Sequence, residues 1–238
     1  MASRTTDYLI IGNSAAGVSA AEAIRRVDAK GSITIVGDEP HAAYGRPLIS
    51  YLVEGKTTED RMRFREDGFY ERMGIETLLG PSCEAVSLDA ESHAVELKDG
   101  TRISYGTCLV ATGSAPFVPP IEGLDGKSNV HAFLTLDDAL GAWREALEAS
   151  ERAHAEGRAS RALVIGAGLI GLKAAEALSH HVDDVVVLEL APRILPAVLD
   201  AQGAQVLAGF LFKHGITCMT GVSVGRLLGE GDRVDGAV

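Results

Sequence analysis

Apolar residues near the start of the chain form a short run that ends in a glycine turn. The run at residues 8–11 predicts a buried strand, and the alanine-rich residues 15–27 after the turn favour a helix. A second apolar run at residues 32–36 predicts another strand. This order describes a unit whose two strands lie parallel in one sheet and are joined by a right-handed crossover.

The same order recurs in the second half of the chain. A strand is predicted from residue 161, a helix over residues 169–179 and a second strand over residues 185–188. A helix at residues 201–214 and a strand at residues 216–219 extend the alternation. Alternating strands and helices are typical of α/β proteins. We therefore expect an α/β fold with two Rossmann-like, three-layer domains built on parallel sheets.

The segments between these units have a different pattern. Alternating runs at residues 83–88 and 93–97 surround a predicted turn, and Lys98, Asp99 and Gly100 form another turn, because Asp-Gly supports a tight hairpin. Pro116, Pro119 and Pro120 favour a stiff, extended linker. The predicted division is a first domain at residues 1–113, a linker at 114–129 and a second domain at 130–238. Further elements are predicted as helices at 48–53, 67–73 and 136–152 and a strand at 108–111.

Composition and charge narrow the possible partners and location. The chain has 238 residues, of which 46% are hydrophobic and 23% charged, as in soluble globular proteins. Its net charge of -11 argues against nucleic-acid binding. No apolar run approaches the about 20 residues of a membrane helix, and the short polar N-terminus does not resemble a signal peptide. We expect a cytoplasmic protein with neither nucleic acid nor membrane as partner.

Cysteine and histidine give no sign of a metal or disulfide site. Cys83, Cys108 and Cys218 lie far apart and lack CxxC spacing, and their odd number argues against a disulfide framework. Buried strand thiols are the favoured interpretation. His180 and His181 lie at a predicted helix end with no other ligands nearby, so no metal site is expected.

The second glycine turn has the full spacing of a dinucleotide fingerprint. Its first glycine permits a tight turn, the second lets the backbone approach a pyrophosphate, and the third allows close helix–strand packing. Glu189, 18 residues after Gly171, is the acid expected to bind ribose hydroxyls. A glycine turn without a ligand is the alternative. The candidate residues are Gly166, Gly168, Leu169, Ile170, Gly171 and Glu189.

Glu189 also indicates which nicotinamide dinucleotide is used. Its charge would repel a 2′-phosphate, and no arginine follows it until Arg193. NADH is therefore favoured over NADPH.

The first glycine turn is a variant of the same pattern. Ser14 stands where the second glycine is expected, and it is small enough for close approach while its hydroxyl could donate to a phosphate. Asp38 and Glu39, 21 and 22 residues beyond Gly17, could each hold a ribose. A turn with a structural role alone is the alternative. The candidate residues are Gly12, Ser14, Ala15, Ala16, Gly17, Asp38 and Glu39.

Five segments in a fixed order carry a resemblance to a known family. They are Gly12–Gly17, Gly37–His41, Tyr44–Leu48, Ala111–Gly113, and Gly166–Gly171 with Glu189–Pro196. Together they cover nearly the whole chain. In these segments the chain resembles the flavoprotein pyridine-nucleotide oxidoreductases of the NADH oxidase, rubredoxin reductase and ferredoxin reductase type.

The resemblance implies FAD in the first domain and NADH in the second, with hydride passing from the nicotinamide to the flavin. It also implies further FAD contacts, from Arg46, Pro47, Ala85, Ala111, Thr112 and Gly113. A surface ion pair of Arg46 and a simple strand-ending turn at residues 112–113 are the alternatives. Hydride transfer needs no general base, so no catalytic residue is nominated.

Two departures from the family pattern bear on function. Some relatives carry a redox cysteine shortly after the arginine–proline segment, and residues 44–51 contain none, which disfavours a disulfide reductase. Many relatives carry glutamate two residues after the third glycine of the second turn, whereas this chain has Lys173. A lysine there opposes the helix dipole by about 0.3–1 kcal/mol. We expect Lys173 to face the cofactor cleft, with a solvent-exposed lysine as the alternative.

The resemblance further implies segments beyond Val238: more of the nicotinamide domain, a second FAD segment and a dimerisation domain. The sequence is interpreted as part of a longer, homodimeric protein. The expected function is hydride transfer from NADH to FAD and electron transfer to a small redox protein or small molecule, such as rubredoxin, ferredoxin or oxygen. A disulfide or peroxide reductase of the same fold and a non-catalytic nucleotide-binding module are the alternatives.

Overall fold

A computed structural model describes residues 3–238, in which strands and helices alternate as the sequence predicts. The strands are β1 (Ser3–Ile11), β2 (Ile33–Gly37), β3 (Ile75–Leu79), β4 (Ala85–Asp89), β5 (Ala94–Leu97), β6 (Arg102–Val110), β7 (Arg161–Ile165), β8 (Asp184–Glu189), β9 (Ile216–Thr220), β10 (Leu227–Leu228) and β11 (Gly236–Ala237). The helices are α1 (Ala15–Val27), α2 (Ile49–Val53), α3 (Glu59–Met62), α4 (Phe69–Arg72), α5 (Leu136–Ala155), α6 (Leu169–Leu178) and α7 (Ala201–Phe212).

The chain divides into two compact units. Within the described residues, the first unit comprises 3–45 and 59–114, and the second comprises 46–58 and 115–238. The predicted first domain runs without interruption to residue 113, whereas the contacts group residues 46–58 with the second unit. The proline-containing residues 112–120 have no regular secondary structure.

The first unit is built on one six-stranded sheet in the order β3-β2-β1-β6-β5-β4. Strands β1, β2, β3 and β6 are parallel, which confirms the predicted strand–helix–strand unit. Strands β4 and β5 are antiparallel to their neighbours and form the predicted hairpin at one edge of a mostly parallel sheet. The short connections at residues 90–93 and 98–101 explain this direction, because two strands joined by a tight turn run antiparallel.

Strand β1 is longer than its apolar run. Residues 8–11 were expected, but pairing with β6 begins at Ser3 opposite Arg102. The added residues are polar, and Thr6, which is 3% exposed, donates its hydroxyl to the carbonyl of Ser32 at 3.1 Å. Strand β3 was not predicted, because only Ile75 of its five residues is buried and the apolar signal is weak.

The core of the first unit lies on both faces of this sheet. One face packs against α1, whose Val18 and Ala21 contact Ile10, Ile33 and Ile35 of the central strands. A second cluster, which includes residues of β5, consists of Leu9, Ile11, Val36, Val95, Leu97, Ile103 and Tyr105. Both sides of β1 are therefore buried, as expected for a central parallel strand.

The second unit has a parallel sheet in the order β7-β8-β9. Its helices agree with the predicted ranges to within three residues at each end. Helix α5 begins at a capping box, in which Thr135 and Asp138 satisfy each other's backbone N–H groups. The core is formed mainly by small and branched residues, including Ala167, Ala175, Val185, Val187, Ile194 and Ile216.

Helix α2 is anchored within the second unit. Its Ile49, Leu52 and Val53 are buried. The His181 Nε2 donates to the carbonyl oxygen of Val53 at 2.6 Å, and the ring of Trp143 lies 5.8 Å from that of His181. These contacts explain why residues 46–58 group with this unit. Within residues 3–238, no helix combines the length and apolarity that crossing a bilayer requires.

Candidate dinucleotide-binding sites

The three glycines of the second turn have the conformations that a fingerprint needs. Gly166 has φ 101° and donates its N–H to the carbonyl of Leu188 at 2.7 Å. A Cβ on Gly171 would lie 2.0 Å from the Gly166 carbonyl oxygen, so only glycine fits there. A Cβ on Gly168 would meet no atom within 4 Å, because this residue borders open space at the start of α6. A pyrophosphate can approach the helix through that space.

Glu189 lies beside this turn, as its spacing predicts. Its Oε2 accepts a hydrogen bond from the Ala167 N–H and its Oε1 from the Ala191 N–H, each at 2.8 Å. The carboxylate thus bridges the fingerprint turn and the turn after β8. Arg193 donates instead to the carbonyls of Leu199 and Pro196, each at 2.9 Å, so its guanidinium is held by its own loop.

Apolar side chains are exposed around the second fingerprint. Ile165 is 43% exposed, Leu169 63%, Ile170 57% and Leu190 73%. They lie at the carboxyl ends of β7 and β8 and in the first turn of α6, where ligands bind in open α/β sheets. A dinucleotide lying across this edge would cover them.

The first turn has the same backbone geometry. Gly12 has φ 118°, and its N–H donates to the carbonyl of Val36 at 2.8 Å. A Cβ on Gly12 would lie 2.2 Å from the Ala111 carbonyl oxygen, and one on Gly17 would lie 2.0 Å from the Gly12 carbonyl oxygen. The turn therefore packs tightly against both its own helix and the end of β6.

Ser14 is the N-cap residue of α1, but its hydroxyl makes no capping hydrogen bond. Ala15 and Ala16 in the first helical turn are exposed. The Ser14 hydroxyl is therefore not used in capping, and an anion could bind to the N–H groups of this exposed helix end. Ser14, which stands where the second unit has Gly168, is still a small residue, and its hydroxyl adds one hydrogen-bond donor.

The candidate acids of the first unit differ from Glu189 in register. The bonds from Gly12 to Val36 and from Gly166 to Leu188 make these positions equivalent, so Gly37 stands where Glu189 stands in the second unit. Asp38, one residue later, is exposed. Glu39 accepts a hydrogen bond from the Tyr44 hydroxyl at 2.5 Å.

Of the FAD contacts that the family resemblance implies, four lie in the first unit and two in the second. Ala111 and Thr112 lie against Gly12, and Gly113 follows with φ 72°. Ala85 packs in the core cluster that contains Ile11 and Val36.

Arg46 and Pro47 instead lie in a 3₁₀ turn, Arg46–Leu48, of the second unit. The Arg46 guanidinium donates to the carbonyl of Leu134 at 3.1 Å. The first unit by itself therefore does not contain this pair.

Lys173 is held by two neighbours. Its Nζ lies 2.7 Å from Glu176 Oε2 and 5.0 Å from the centre of the Tyr51 ring. The hydrogen bond with Glu176 raises the pKa of Lys173 above its usual range. The lysine is half-exposed and paired within its own helix.

Two of the cysteines are partly buried in strands. Burial raises the pKa of Cys108 and Cys218, which keeps both as thiols at neutral pH. Among the described residues, no group of three or more histidine, cysteine or acidic side chains is arranged to hold a metal ion.

Two side chains at the first turn form a contact that the sequence does not predict. Asn13 lies inside the fingerprint, where any residue is allowed, and Tyr70 lies in a segment with no motif. In the structure, the Tyr70 hydroxyl donates to Asn13 Oδ1 at 2.7 Å. Nothing in the spacing of the sequence signals this contact, because it depends on tertiary packing.

Two fingerprint turns, each between a parallel strand and a helix, define a dinucleotide-binding α/β protein. Residues 6–238 match the model of the pyridine nucleotide-disulphide oxidoreductase family. The chain belongs to this family.

Named relatives share this range. The chain is 36% identical over 222 residues to the NADH-dependent phenylglyoxylate dehydrogenase subunit epsilon of Aromatoleum evansii, covering 93% of this chain and 50% of the relative. It is 31% identical over 230 residues to an NADH oxidase of Methanocaldococcus jannaschii, covering 93% of this chain and 48% of that protein. The chain thus spans about half the length of these curated relatives.

A solved ferredoxin reductase from Rhodopseudomonas palustris superimposes with a TM-score of 0.82 at 28% identity. The match covers 98% of this chain and 55% of the reductase. The predicted α/β class, the family and its oxidoreductase nature are confirmed. FAD and NADH are likewise confirmed as the cofactor pair of this family.

Proposed function

We propose that the chain is the dinucleotide-binding part of a flavoprotein that oxidises NADH, with FAD in the first unit and NADH in the second. The observation that carries this proposal is the pair of fingerprint turns in one chain, with matching hydrogen bonds from Gly12 to Val36 and from Gly166 to Leu188. When bound, the flavin accepts hydride from the nicotinamide and passes electrons on. The protein's part is to bind and orient both dinucleotides.

The FAD site would be built at the carboxyl ends of β1, β2 and β6. Ser14 and the N-terminus of α1 would bind the pyrophosphate, and Asp38 or Glu39 would bind the adenosine ribose. Ala85 and residues 111–113 would lie along the same ligand. The predicted contacts of Arg46 and Pro47 belong to this proposal as well, and so do the predicted domain limits.

The geometry around Glu189 favours NADH over NADPH. Its carboxylate is fixed at the end of β8 by two backbone N–H groups. A ribose with free hydroxyls can donate to it, whereas a 2′-phosphate would meet a fixed negative charge. Arg193 cannot serve as the phosphate-binding cation without leaving the carbonyls of Leu199 and Pro196.

The proposed acceptor is a small redox protein or a small molecule such as oxygen. The relatives named as a ferredoxin reductase and an NADH oxidase support both possibilities. Disulfide reduction is less well supported, because residues 44–51 contain no cysteine. We place the protein in the cytoplasm and propose a homodimer for the longer chain.

The proposal is tested by the visible spectrum of the purified chain after incubation with FAD. We expect a yellow protein whose flavin band bleaches under anaerobic conditions when NADH is added, and which responds weakly to NADPH. A colourless protein that binds NADH alone would support the alternative of a nucleotide-binding module.

A variant at Glu189 tests the basis of cofactor choice. Glu189→Gln removes the charge and one acceptor, so the NADH concentration needed for half-bleaching should rise on the order of tenfold. NADPH should gain little, because Arg193 stays bound to its loop. Glu151→Gln, at an exposed glutamate of α5, is the matched control. An unchanged NADH response in Glu189→Gln would contradict the assigned role.

A further inference from the structure

A hydrogen-bonded clamp fastens the first fingerprint turn to the loop after β2. The Asn13 Nδ2 donates to the His41 carbonyl oxygen at 3.1 Å, and the Tyr70 hydroxyl donates to Asn13 Oδ1 at 2.7 Å. The Tyr70 oxygen in turn accepts from the Ala43 N–H at 3.1 Å. One side chain of the turn and one of α4 thus hold the loop at two points, His41 and Ala43.

The clamp has a rigid support. The ring of Tyr70 packs against the core on the α1 face of the sheet and makes an edge contact with Phe69, with centroids 5.3 Å apart. Ala43 is 4% exposed, and its carbonyl accepts from the Phe64 N–H at 2.8 Å. The hydroxyl of Tyr70 is therefore fixed in position by the packing of its ring and not by the clamp alone.

The two parts that the clamp joins carry the two halves of the proposed ligand site. The turn holds Ser14, the candidate pyrophosphate contact, and the loop begins with Asp38 and Glu39, the candidate ribose contacts. A dinucleotide has a fixed distance between its pyrophosphate and its adenosine ribose. Binding is therefore tightest when the turn and the loop already lie at that distance.

In the second unit, a different contact connects the fingerprint turn to the end of the neighbouring strand. Its turn has Ala167 in place of Asn13, and the carboxylate of Glu189 itself bonds to the Ala167 N–H. In the first unit Gly37 occupies the register of Glu189, so no carboxylate can bridge to the turn from that position. The clamp supplies the missing connection.

We propose that Asn13 and Tyr70 are positioning residues of the first dinucleotide site, which set the distance between the fingerprint turn and the acidic loop. The inference rests on the proposed binding of FAD in that unit. We assign the clamp no contact with the flavin or the reacting atoms. It acts through the placement of Ser14, Asp38 and Glu39.

The test compares Tyr70→Phe with Tyr8→Phe in the full 238-residue chain. Each change removes one hydroxyl and keeps the ring, and Tyr8 makes a similar bond, at 3.0 Å to Asp28, beyond the opposite end of α1. FAD affinity is measured by quenching of flavin fluorescence, and amide hydrogen exchange is followed at Ala43. Tyr70→Phe should weaken FAD binding on the order of tenfold and speed exchange at Ala43, while Tyr8→Phe should do neither.

A double-mutant cycle provides a second measurement. Asn13→Ala reproduces the residue found in the second turn, so it should fold, and it should weaken FAD binding as Tyr70→Phe does. Because both residues act in one network, the double variant should bind FAD about as well as Asn13→Ala alone.

The outcomes separate this inference from the proposed function. If the unmodified chain binds no FAD, the proposed function fails and the inference that rests on it fails as well. Faster exchange in Tyr70→Phe with unchanged FAD affinity would reduce the clamp to a structural role and overturn the inference. Equal FAD affinity in Tyr70→Phe and Tyr8→Phe, or additive effects in the cycle, would overturn it as well.

Discussion

Single glycines decide whether each fingerprint turn can form. At Gly171 an added methyl group would overlap the Gly166 carbonyl oxygen at 2.0 Å, whereas at Gly209 in α7 it would meet nothing within 4 Å. Both residues lie in helices. The same substitution should therefore have opposite effects at the two positions.

We predict that Gly171→Ala lowers the free energy of unfolding by about 1–3 kcal/mol, because helix α6 must move away from β7. Gly209→Ala should raise it by about 0.5–1 kcal/mol, since alanine loses less conformational entropy in a helix. Urea unfolding of both variants and the unmodified chain checks this. Equal effects of the two changes would contradict the close approach at Gly171.

Spacing in the sequence predicts the turn geometry of the glycines and the place of Glu189 beside the second turn, because both follow from local backbone geometry. It was not sufficient for Asn13 and Tyr70, which are 57 positions apart and meet only when α4 packs on the sheet. Arg46 shows the same limit, since its bond to Leu134 joins residues 88 positions apart.

Side-chain hydrogen bonds connect the starts of the parallel strands β7 and β8. Asp183, just before β8, accepts from the N–H and the hydroxyl of Ser160, each at 2.8 Å, and lies 2.8 Å from the His154 Nε2. These bonds to Ser160 and His154 lower the pKa of Asp183 from 3.8 to about 2. The starts of β7 and β8 are thereby tied together.

The direction of this pKa change gives a pH prediction. The folded state holds the ionised carboxylate, so its stabilising effect is complete above pH 3.8 and is lost as the pH falls towards about 2. Asp183→Asn should lower the urea midpoint at neutral pH and narrow its gap to the unmodified chain in acid. Asp184→Asn, at a neighbouring exposed carboxylate 3.4 Å from Arg161, should change little. A gap that stays constant with pH for Asp183→Asn would refute the assignment.

Helix α2 gives a second prediction at this scale. His181→Ala removes the donor to the Val53 carbonyl and should loosen residues 46–58, seen as faster proteolysis within this segment. His180→Ala changes the exposed neighbour and should leave the rate unchanged. Similar rates in both variants would mean that His181 does not anchor α2.

Helices and strands with a regular pattern of apolar residues were predictable from the sequence. Strands that form only because they pair with a neighbouring strand were not. Helix α1 was predicted with its observed ends, because its alanine content and its glycine turn are local signals. Strand β3 and the first five residues of β1 depend on neighbouring strands, and their own residues carry little apolar signal. The antiparallel edge was predictable from its hairpins, because short turns between alternating runs are local signals.

We propose that the molecule as a whole binds two dinucleotides with different roles. The family match over residues 6–238 supports it, and so does the repetition of one turn geometry in both units. Gly168 and Ser14 occupy equivalent N-cap positions with extended backbone, and a larger side chain at either would fill the space where we propose that a pyrophosphate binds. These two positions allow each site to be blocked separately.

The most direct test is an anaerobic titration of the flavin-loaded chain with NADH, carried out for the unmodified chain, Gly168→Val and Ser14→Val. We predict that the flavin band of the unmodified chain bleaches, that Gly168→Val keeps the band but requires at least about tenfold more NADH, and that Ser14→Val takes up little flavin. If Gly168→Val bleached at the same NADH concentration as the unmodified chain, the second fingerprint would not be the NADH site and the account would be wrong.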